Sequence, residues 1–344
     1  MSSKAQESRA FVASSQVAAD IDLDAEGKAT GFVRVPHSVH RSAYGWIPIP
    51  IVRIKNGEGP DVLMLAGNHG DEWEGQIGLG NLVRSIEPRD IKGRLVILPS
   101  ANFPAAMAGR RTSPIDEGNL NRSFPGDAGG TITQQIAYWI EHALLPGFDY
   151  SIDLHSGGSS LLYVPSAMVA RQDDPAAMDR ALGLLRAFGA PLGLLTSSFP
   201  GRGRTFTAAS FRQGVINMAV EIGGSGFVTP RSVTIAEHGM RRVLGHLGLL
   251  PGATPPPQLT QLAEIGGDDY YVYASEGGLF EPLVELGDEV GADQPAARIH
   301  FHHTPWREPA TVRFRRSGLV VCKRLPAHCE RGDCLFHLAT AIAP

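Results

Sequence analysis

Val62-Leu63-Met64-Leu65-Ala66 is a short apolar run, and it leads directly into the polar turn Gly67-Asn68-His69-Gly70-Asp71-Glu72. An uninterrupted apolar run of this length is typical of a strand that is buried on both faces of a sheet. The residues from 71 to about 86 then show the imperfect apolar face of a helix, with acidic residues crowded at its start. Acidic side chains favour a helix N-terminus because its free N–H groups make that end positive. We therefore predict a strand, a turn and a helix.

The same alternation of strand and helix recurs along the chain as far as about residue 250. Further buried strands are predicted at residues 94–99, 150–154 and 215–222, of which the first and the last are mainly apolar. Helical periodicity is found at residues 131–145, 175–188 and 234–249. Strands that alternate with helices in this way predict a layered α/β fold.

The composition changes after residue 250. Residues 251–257 include four prolines and indicate a linker. From Tyr270 onward the chain has short β-type runs and no convincing helix. We therefore predict three regions, which are a mobile N-terminal arm at residues 1–30, the main α/β domain at 31–255 and a small all-β module at 256–344.

Composition argues against several classes of protein. Of the 344 residues, 43% are hydrophobic and 19% are charged, which is typical of a globular protein and not of a disordered one. The formal net charge is −4, with no long run of one sign, so nucleic acid is not an expected partner. No apolar stretch approaches the roughly 20 residues of a membrane-spanning helix, so a membrane is not expected either. With three cysteines and no apolar signal-peptide core at the start, we expect a cytoplasmic protein.

Two imidazoles and a carboxylate lie at the ends of predicted strands. His69 and Glu72 are three residues apart in the first turn, and His155 ends the strand that starts near residue 150. Open α/β sheets bind ligands at the carboxyl ends of their strands. A catalytic zinc typically has three protein ligands and one open position for water. The three residues are therefore candidate metal ligands, although a His-x-x-Glu triplet alone would more often be structural or solvated.

Two further acids end predicted strands. Glu221 closes a third apolar strand, and a carboxylate in that position needs a partner or a function. The alternative is a salt-bridged core acid. Asp153 points to the same side of its strand as His155, so it could orient that imidazole or simply end the sheet.

Four motifs together resemble those of the succinylglutamate desuccinylase/aspartoacylase family, which belongs to the zinc-carboxypeptidase-like group. Residues 67–72 and 153–155 resemble its two zinc motifs. Residues 119–126 resemble its substrate-carboxylate motif, and residues 220–224 the segment with the catalytic glutamate. The motifs follow the family's order over about 155 residues. The resemblance implies a mixed central sheet with helices on both faces, followed by a small C-terminal all-β barrel-like module.

The resemblance also implies the chemistry of the site. One Zn²⁺ per chain would be held by His69, Glu72 and His155 and would lower the pKa of a water molecule. Glu221 would take the proton from that water as general base and later deliver it to the leaving amine.

Substrate binding is assigned from the same resemblance. Asn121 and Arg122 would bind the substrate α-carboxylate, because a guanidinium group pairs with a carboxylate through two hydrogen bonds. An arginine near residue 110 would stabilise the oxyanion. Either Arg110 or Arg111 could serve, and Arg111 is taken as the candidate.

Within the family, the sequence as a whole most resembles the N-α-acetyl-2,4-diaminobutyrate deacetylases of ectoine breakdown. This implies a small-molecule N-acyl amino acid as the partner, cleaved to diaminobutyrate and acetate. Asp116 or Glu117 could meet the side-chain ammonium of that substrate, although both could equally be solvated loop acids. Acetylaspartate, succinylglutamate, peptides cleaved by a metallocarboxypeptidase, and a non-catalytic binding protein are the alternatives. Homo-oligomer formation stays open.

Overall fold

The computed structural model describes residues 15–196, 203–252, 255 and 260–342. Its strands up to residue 221 are β1 (Ala18–Ala19), β2 (Gly27–Pro36), β3 (Trp46–Asn56), β4 (Asp61–Ala66), β5 (Gly93–Leu98), β6 (Tyr150–His155), β7 (Leu161–Tyr163), β8 (Ser166–Ala170), β9 (Leu192–Thr196) and β10 (Ile216–Glu221). The later strands are β11 (Gln261–Ile265), β12 (Tyr271–Tyr273), β13 (Gly278–Pro282), β14 (Glu289–Val290), β15 (Pro295–His300), β16 (Ala310–Arg313), β17 (Gly318–Arg324), β18 (His328–Cys329) and β19 (Cys334–Ala341). The α-helices are α1 (Trp73–Ser85), α2 (Phe103–Ala108), α3 (Ile132–Trp139), α4 (Pro175–Phe188), α5 (Phe206–Arg212) and α6 (Pro230–His246). A π-helical turn, Ile140–Leu144, continues α3.

A large mixed sheet forms the centre of the molecule. Its strand order is β1-β2-β3-β5-β4-β6-β10-β8-β9-β11-β19-β17-β14. The central strands β5, β4, β6 and β10 run parallel to one another, whereas β3 and β8 are antiparallel to their neighbours β5 and β10. The prediction of a mixed central sheet is confirmed.

Helices cover both faces of this sheet. On one face α1, α4 and α6 pack together, and their buried side chains, such as Leu79, Phe188 and Met240, form a core with the strands. On the other face α3 and α5 contribute Ile136 and Phe206 to a second core. The apolar stripes of these helices are mostly buried against the sheet, but Ile77, on the face predicted for α1, is 42% exposed.

Caps define the ends of the longer helices. The Asp174 side chain accepts hydrogen bonds from the amides of Ala176 and Ala177, and Pro175 starts α4. The helix ends at Gly189, where φ is +66°. A side-chain oxygen before a helix and a glycine after it satisfy backbone groups that would otherwise have no partner.

The C-terminal region is all-β, as predicted. An antiparallel sheet has the order β16-β15-β13-β18, and it shares a core with β12, β17 and β19 that contains Phe280, Phe314 and Phe336. Backbone hydrogen bonds also join this region to the large sheet, since β11 pairs with both β9 and β19, and β17 pairs with β7. The division at residue 255 stays a prediction.

The segment predicted as a mobile arm is part of the sheet where the structure describes it. Residues 1–14 lie outside the described residues. From Val17, which is buried, the chain packs on the sheet, and Ala18 pairs with Arg34 of β2. Because β2 begins at Gly27, the prediction of an arm as far as residue 30 is wrong for this part. Residues 27–30 join the sheet by pairing with residues 52–55 of β3, and the buried side chain of Val17 packs against it.

No helix among the described residues is both long enough and apolar enough to cross a membrane.

Candidate active site

The candidate site lies where three neighbouring parallel strands end. His69 follows β4, His155 is the last residue of β6, and Glu221 is the last residue of β10. The sheet register places Glu221 directly opposite His155. Parallel strands bring their carboxyl ends to one edge, so residues distant in the sequence meet there.

The turn after β4 depends on close contact with α2. A Cβ atom on Gly70 would lie 2.0 Å from the backbone carbon of Ala105, so only glycine fits there. The Gly70 amide donates to the Arg110 carbonyl at 2.9 Å. The turn that carries His69 and Glu72 and the segment that carries Arg111 are therefore fixed to each other.

Two imidazoles converge on one carboxylate. Nδ1 of His69 lies 2.7 Å from Oε1 of Glu72, and Nδ1 of His155 lies 2.8 Å from Oε2 of the same residue. All three side chains are buried. Among the described residues, this is the group of three or more His, Cys, Asp or Glu side chains whose ligand atoms lie within 4.8 Å of one another. Two imidazole nitrogens and a carboxylate oxygen form a donor set that fits a catalytic zinc.

Each imidazole is held through its other nitrogen. Nε2 of His155 lies 2.8 Å from Oδ2 of Asp153, and the amide of Asn68 donates to both Asp153 oxygens at 2.9 Å. Nε2 of His69 lies 3.2 Å from Oδ1 of Asn119. A proton on each Nε2 leaves the Nδ1 lone pair free to bind a cation.

Burial and charge act in opposite directions on these groups. Burial lowers the pKa of His69, against the attraction of Glu72. Burial alone would raise the pKa of Glu72 and lower that of His155. Instead, the two imidazoles hold the pKa of Glu72 well below its usual value, and the carboxylates of Asp153 and Glu72 raise the pKa of His155. The site therefore holds one buried carboxylate as an anion, which suits a cation.

Glu221 has the environment of an acid–base group. Its Oε2 is buried and has no hydrogen-bond partner among the described residues. Burial, together with the charge of Glu72, raises the pKa of Glu221 to about 8. A cation held by Glu72 and His155 would lower this pKa, because positive charge favours the carboxylate. A carboxyl group whose pKa lies near neutrality can both accept and donate a proton.

These groups open into one cavity of about 210 Å³. The cavity is smaller than the roughly 300–1,000 Å³ of pockets for drug-sized ligands, so it suits a small molecule. Besides the three candidate metal ligands and Glu221, its lining includes Arg111, Asn121, Arg122 and Tyr163. The structure therefore brings the three candidate metal ligands, Glu221, Arg111, Asn121 and Arg122 to one place.

The structure also distinguishes the two candidate arginines. Nη1 of Arg111 lies 3.5 Å from Oε1 of Glu72 and faces the cavity. Arg110 instead pairs with Glu117 on the surface, at 3.0 Å. Asp116 accepts hydrogen bonds from the Thr133 amide and hydroxyl at 2.7 and 2.8 Å, so it fixes the start of α3. Neither Asp116 nor Glu117 lines the cavity.

Asn121 connects the carboxylate motif to the rest of the site. Its Oδ1 accepts a hydrogen bond from the amide of Phe206 at 2.8 Å, at the start of α5. Its Nδ2 lies 3.3 Å from Nε2 of His155. Nη1 of Arg122 donates to the Asn121 carbonyl at 2.7 Å. Asn121 therefore lies against both His155 of the second zinc motif and the start of α5.

Sequence reasoning missed several residues of the site. Oδ2 of the buried Asp71 accepts from the amide and hydroxyl of Ser159 at 2.9 and 2.8 Å, which ties the turn after β4 to the turn after β6. Tyr163 and Thr207 line the cavity from segments with no recognisable motif. Asp71 carried a signal, since it lies between His69 and Glu72, the two candidate metal ligands of the first motif.

Comparison with known proteins identifies the family. A sequence model of the succinylglutamate desuccinylase/aspartoacylase catalytic domain matches residues 58–247. The chain belongs to the succinylglutamate desuccinylase/aspartoacylase family. The family prediction made from the four motifs is confirmed, as is the prediction that the chain hydrolyses linear amides.

Relatives of similar length are known within this family. The N-α-acetyl-L-2,4-diaminobutyric acid deacetylase of Halomonas elongata is 39% identical over 329 residues, which cover 95% of this chain and 96% of the relative. The product-bound structure of the ectoine utilization protein EutE (DoeB) from Ruegeria pomeroyi is 38% identical. It has a TM-score of 0.89, with 94% of this chain and 98% of that chain covered. A succinylglutamate desuccinylase/aspartoacylase structure from Rhodobacter sphaeroides is 36% identical, with a TM-score of 0.90 and coverage of 96% and 100%.

Proposed function

We propose that this member of the succinylglutamate desuccinylase/aspartoacylase family uses zinc to hydrolyse N-α-acetyl-2,4-diaminobutyrate to diaminobutyrate and acetate, a step of ectoine breakdown. One observation carries the proposal. His69, Glu72 and His155 converge beside Glu221, whose Oε2 has no partner among the described residues, in a cavity that also holds Arg122.

One zinc ion per chain is proposed for the group of two imidazoles and one carboxylate. The donor atoms would be Nδ1 of His69, Nδ1 of His155 and an oxygen of Glu72, since these three face one another. When bound, zinc supplies Lewis acidity toward the water and the substrate carbonyl. Asp153 keeps the proton of His155 on Nε2, so Nδ1 remains a donor to the metal.

Glu221 is the proposed general base. Its unpaired oxygen takes a proton from the attacking water and later delivers it to the nitrogen of the leaving amine. Burial around this carboxyl group supports both transfers, because it keeps the protonated form accessible near neutral pH.

Two arginines are proposed to act on opposite parts of the substrate. Arg122, with Asn121, binds the α-carboxylate of the amino acid. Arg111 is beside Glu72, and it stabilises the negative charge that develops on the carbonyl oxygen. Asp116 and Glu117 make contacts elsewhere, so neither supplies an acidic partner for the side-chain ammonium of the substrate. The choice of diaminobutyrate as the amino acid is therefore based on the similarity to the deacetylase of Halomonas elongata.

A cytoplasmic location is also proposed. Cys322, Cys329 and Cys334 are free thiols, which is typical of proteins in a reducing compartment.

The experiment that tests this function measures acetate release from N-α-acetyl-2,4-diaminobutyrate. The protein as purified is compared with chelator-treated protein and with the same protein after zinc is restored. Release should vanish with chelator and return with zinc. A zinc-loaded protein that releases no acetate from this substrate, but cleaves acetylaspartate or succinylglutamate, would overturn the substrate and leave the family reaction standing.

A further inference from the structure

Tyr163 is the one aromatic side chain, besides the two histidines, in the described lining of the catalytic cavity. It is the last residue of β7, the short strand that follows the turn after β6. Leu161, two residues earlier, lines the same cavity, because alternate residues of a strand point to the same face. Tyr163 therefore forms part of the wall that a bound substrate meets.

The C-terminal β region holds Tyr163 from behind. β7 pairs with β17, and the register places Cys322 directly opposite Tyr163. The hydroxyl of Tyr163 and the buried thiol of Cys322 form a hydrogen bond. Because a thiol is a weak donor, Tyr163 donates its proton to the sulfur. The groups of Tyr163 that remain free for a ligand are the oxygen lone pairs and the ring face, and both attract positive charge.

The side-chain ammonium of the proposed substrate has no acid of its own in the described lining of this cavity. The carboxylates there belong to Glu72 and Glu221. Glu72 lies between two imidazole nitrogens, and Glu221 has to exchange a proton with the water and the leaving amine. Residues 197–202, outside the described part, contain neither Asp nor Glu. A neutral group is therefore the expected partner of the ammonium.

The length of the substrate limits where that neutral group can lie. Four bonds separate the carbon of the α-carboxylate from the side-chain nitrogen, so these two atoms are at most about 5 Å apart. With the carboxylate bound at Arg122, the ammonium must lie in the same neighbourhood. Burial lowers the pKa of Arg122, and the nearby Tyr163 opposes this effect. Tyr163 therefore lies within electrostatic range of the group that binds the carboxylate.

Tyr163 stays neutral at the pH of the reaction. Burial, and to a smaller extent the charge of Glu221, raise the pKa of Tyr163 well above its usual value. Its attraction for a cation therefore comes from the ring and the oxygen lone pairs of an uncharged phenol. Such a contact is strongest where water is excluded, as it is in a small cavity between the two β regions.

We propose that Tyr163 recognises the side-chain ammonium of the substrate through the face of its ring and the oxygen of its hydroxyl. This inference rests on the proposed function and deepens it. It names the residue that would separate diaminobutyrate from amino acids of the same length whose side chains are neutral.

The first test compares two substrates of equal size with the zinc-loaded protein. N-α-acetylnorvaline has a methyl group where N-α-acetyl-2,4-diaminobutyrate has its ammonium. We define the ammonium preference as kcat/KM for the diaminobutyrate substrate divided by kcat/KM for the norvaline substrate. The preference should be about tenfold or more, as expected of a cation–π contact away from water. A preference below about threefold would overturn the proposal.

Two variants assign the preference to Tyr163. Tyr163→Leu removes the ring and the hydroxyl and should reduce the preference about tenfold, whereas Tyr163→Phe keeps the ring and should retain at least about a third of it. Because partial misfolding or loss of zinc lowers both rates equally, the ratio reports on the ammonium alone. Tyr44→Leu, at a position that is 98% exposed and outside the cavity lining, is the matched control and should leave the preference unchanged. An unchanged preference in Tyr163→Leu would refute the assignment, and complete loss in Tyr163→Phe would refute the part given to the ring.

A binding measurement separates this inference from the proposed function. Calorimetry on the zinc-loaded protein compares 2,4-diaminobutyrate with norvaline and needs no turnover. If no acetyl substrate is cleaved, but diaminobutyrate binds more tightly than norvaline and Tyr163→Leu removes the difference, the role of Tyr163 stands and the proposed function fails. If acetate is released from the diaminobutyrate substrate, but Tyr163→Leu keeps the full preference, the proposed function stands and the role of Tyr163 fails.

Discussion

The substitution Asp153→Asn should weaken zinc binding without touching a metal ligand. Oδ2 of Asp153 lies 2.8 Å from Nε2 of His155, and both carboxylate oxygens accept hydrogen bonds from the Asn68 side-chain amide at 2.9 Å. An asparagine keeps the size of the side chain but removes its charge. It also turns one acceptor into a donor that faces the Asn68 amide. His155 would then be held less firmly in the tautomer that leaves Nδ1 free.

The size of the effect follows from these contacts. Loss of a carboxylate that orients a ligating histidine typically weakens metal affinity about 10- to 100-fold, which corresponds to roughly 1.4–2.7 kcal/mol. The upper part of this range is expected, because the carboxylate is buried and two of its partners are affected together. The three donor atoms themselves remain in place.

Competition between the protein and a chromophoric chelator measures the zinc affinity directly. Asp149→Asn is the matched control, since Asp149 precedes the same strand at its other end and accepts from the Asp61 amide at 2.9 Å. Asp153→Asn should bind zinc at least tenfold more weakly than Asp149→Asn. Equal affinities in the two variants would refute the orienting role of Asp153.

Three further outcomes are expected. Glu221→Gln should lower kcat by about 10²–10⁴-fold while zinc content stays at one per chain, measured by steady-state kinetics and metal analysis, and near-normal turnover would remove the general base. Arg122→Lys should raise KM by about tenfold or more with a smaller change in kcat, because lysine cannot form the two-pronged contact with a carboxylate; an unchanged KM would move the carboxylate elsewhere. Burial lowers the pKa of His337 from 6.5 to about 4, so protons bind the unfolded chain more tightly and stability is lost as pH falls between these values. At 1.36 kcal/mol per pKa unit, this histidine accounts for about 3 kcal/mol of the acid-induced loss in the free energy of unfolding. Urea unfolding at several pH values should show that this part of the loss is absent in His337→Gln. Equal acid sensitivity of the two proteins would contradict the assignment.

Much of the fold could be predicted because the central strands are buried on both faces. Residues 62–66 and 215–222 are mainly apolar, and both form strands of the parallel centre. The strands β8 and β9 were missed, because neither has an alternating pattern and their identity comes from pairing with β10 and with each other. The segment from Val17 was assigned to an arm because the single pair of residues in β1 gives almost no pattern.

The site was predicted to a similar depth. The candidate metal ligands and Glu221 belong to motifs that lie at or just after strand ends, so their meeting follows from the parallel order of the sheet. The choice between Arg110 and Arg111 does not follow from sequence. It depends on which side chain leaves the end of α2 toward Glu72, and that is a property of the packed turn at Gly70.

The pairing of β11 with β9 and of β17 with β7 has a consequence for protein engineering. The family model ends at residue 247, which suggests a fragment that could be expressed alone. Such a fragment would expose the backbone N–H and C=O groups of β9 and β7, which are satisfied in the whole protein by β11 and β17. Unpaired strand edges recruit other chains and lead to aggregation. A chimera between relatives should therefore take residues 260–342 and the strands β7 and β9 that pair with them from the same parent. Only loops that line the catalytic cavity should be exchanged.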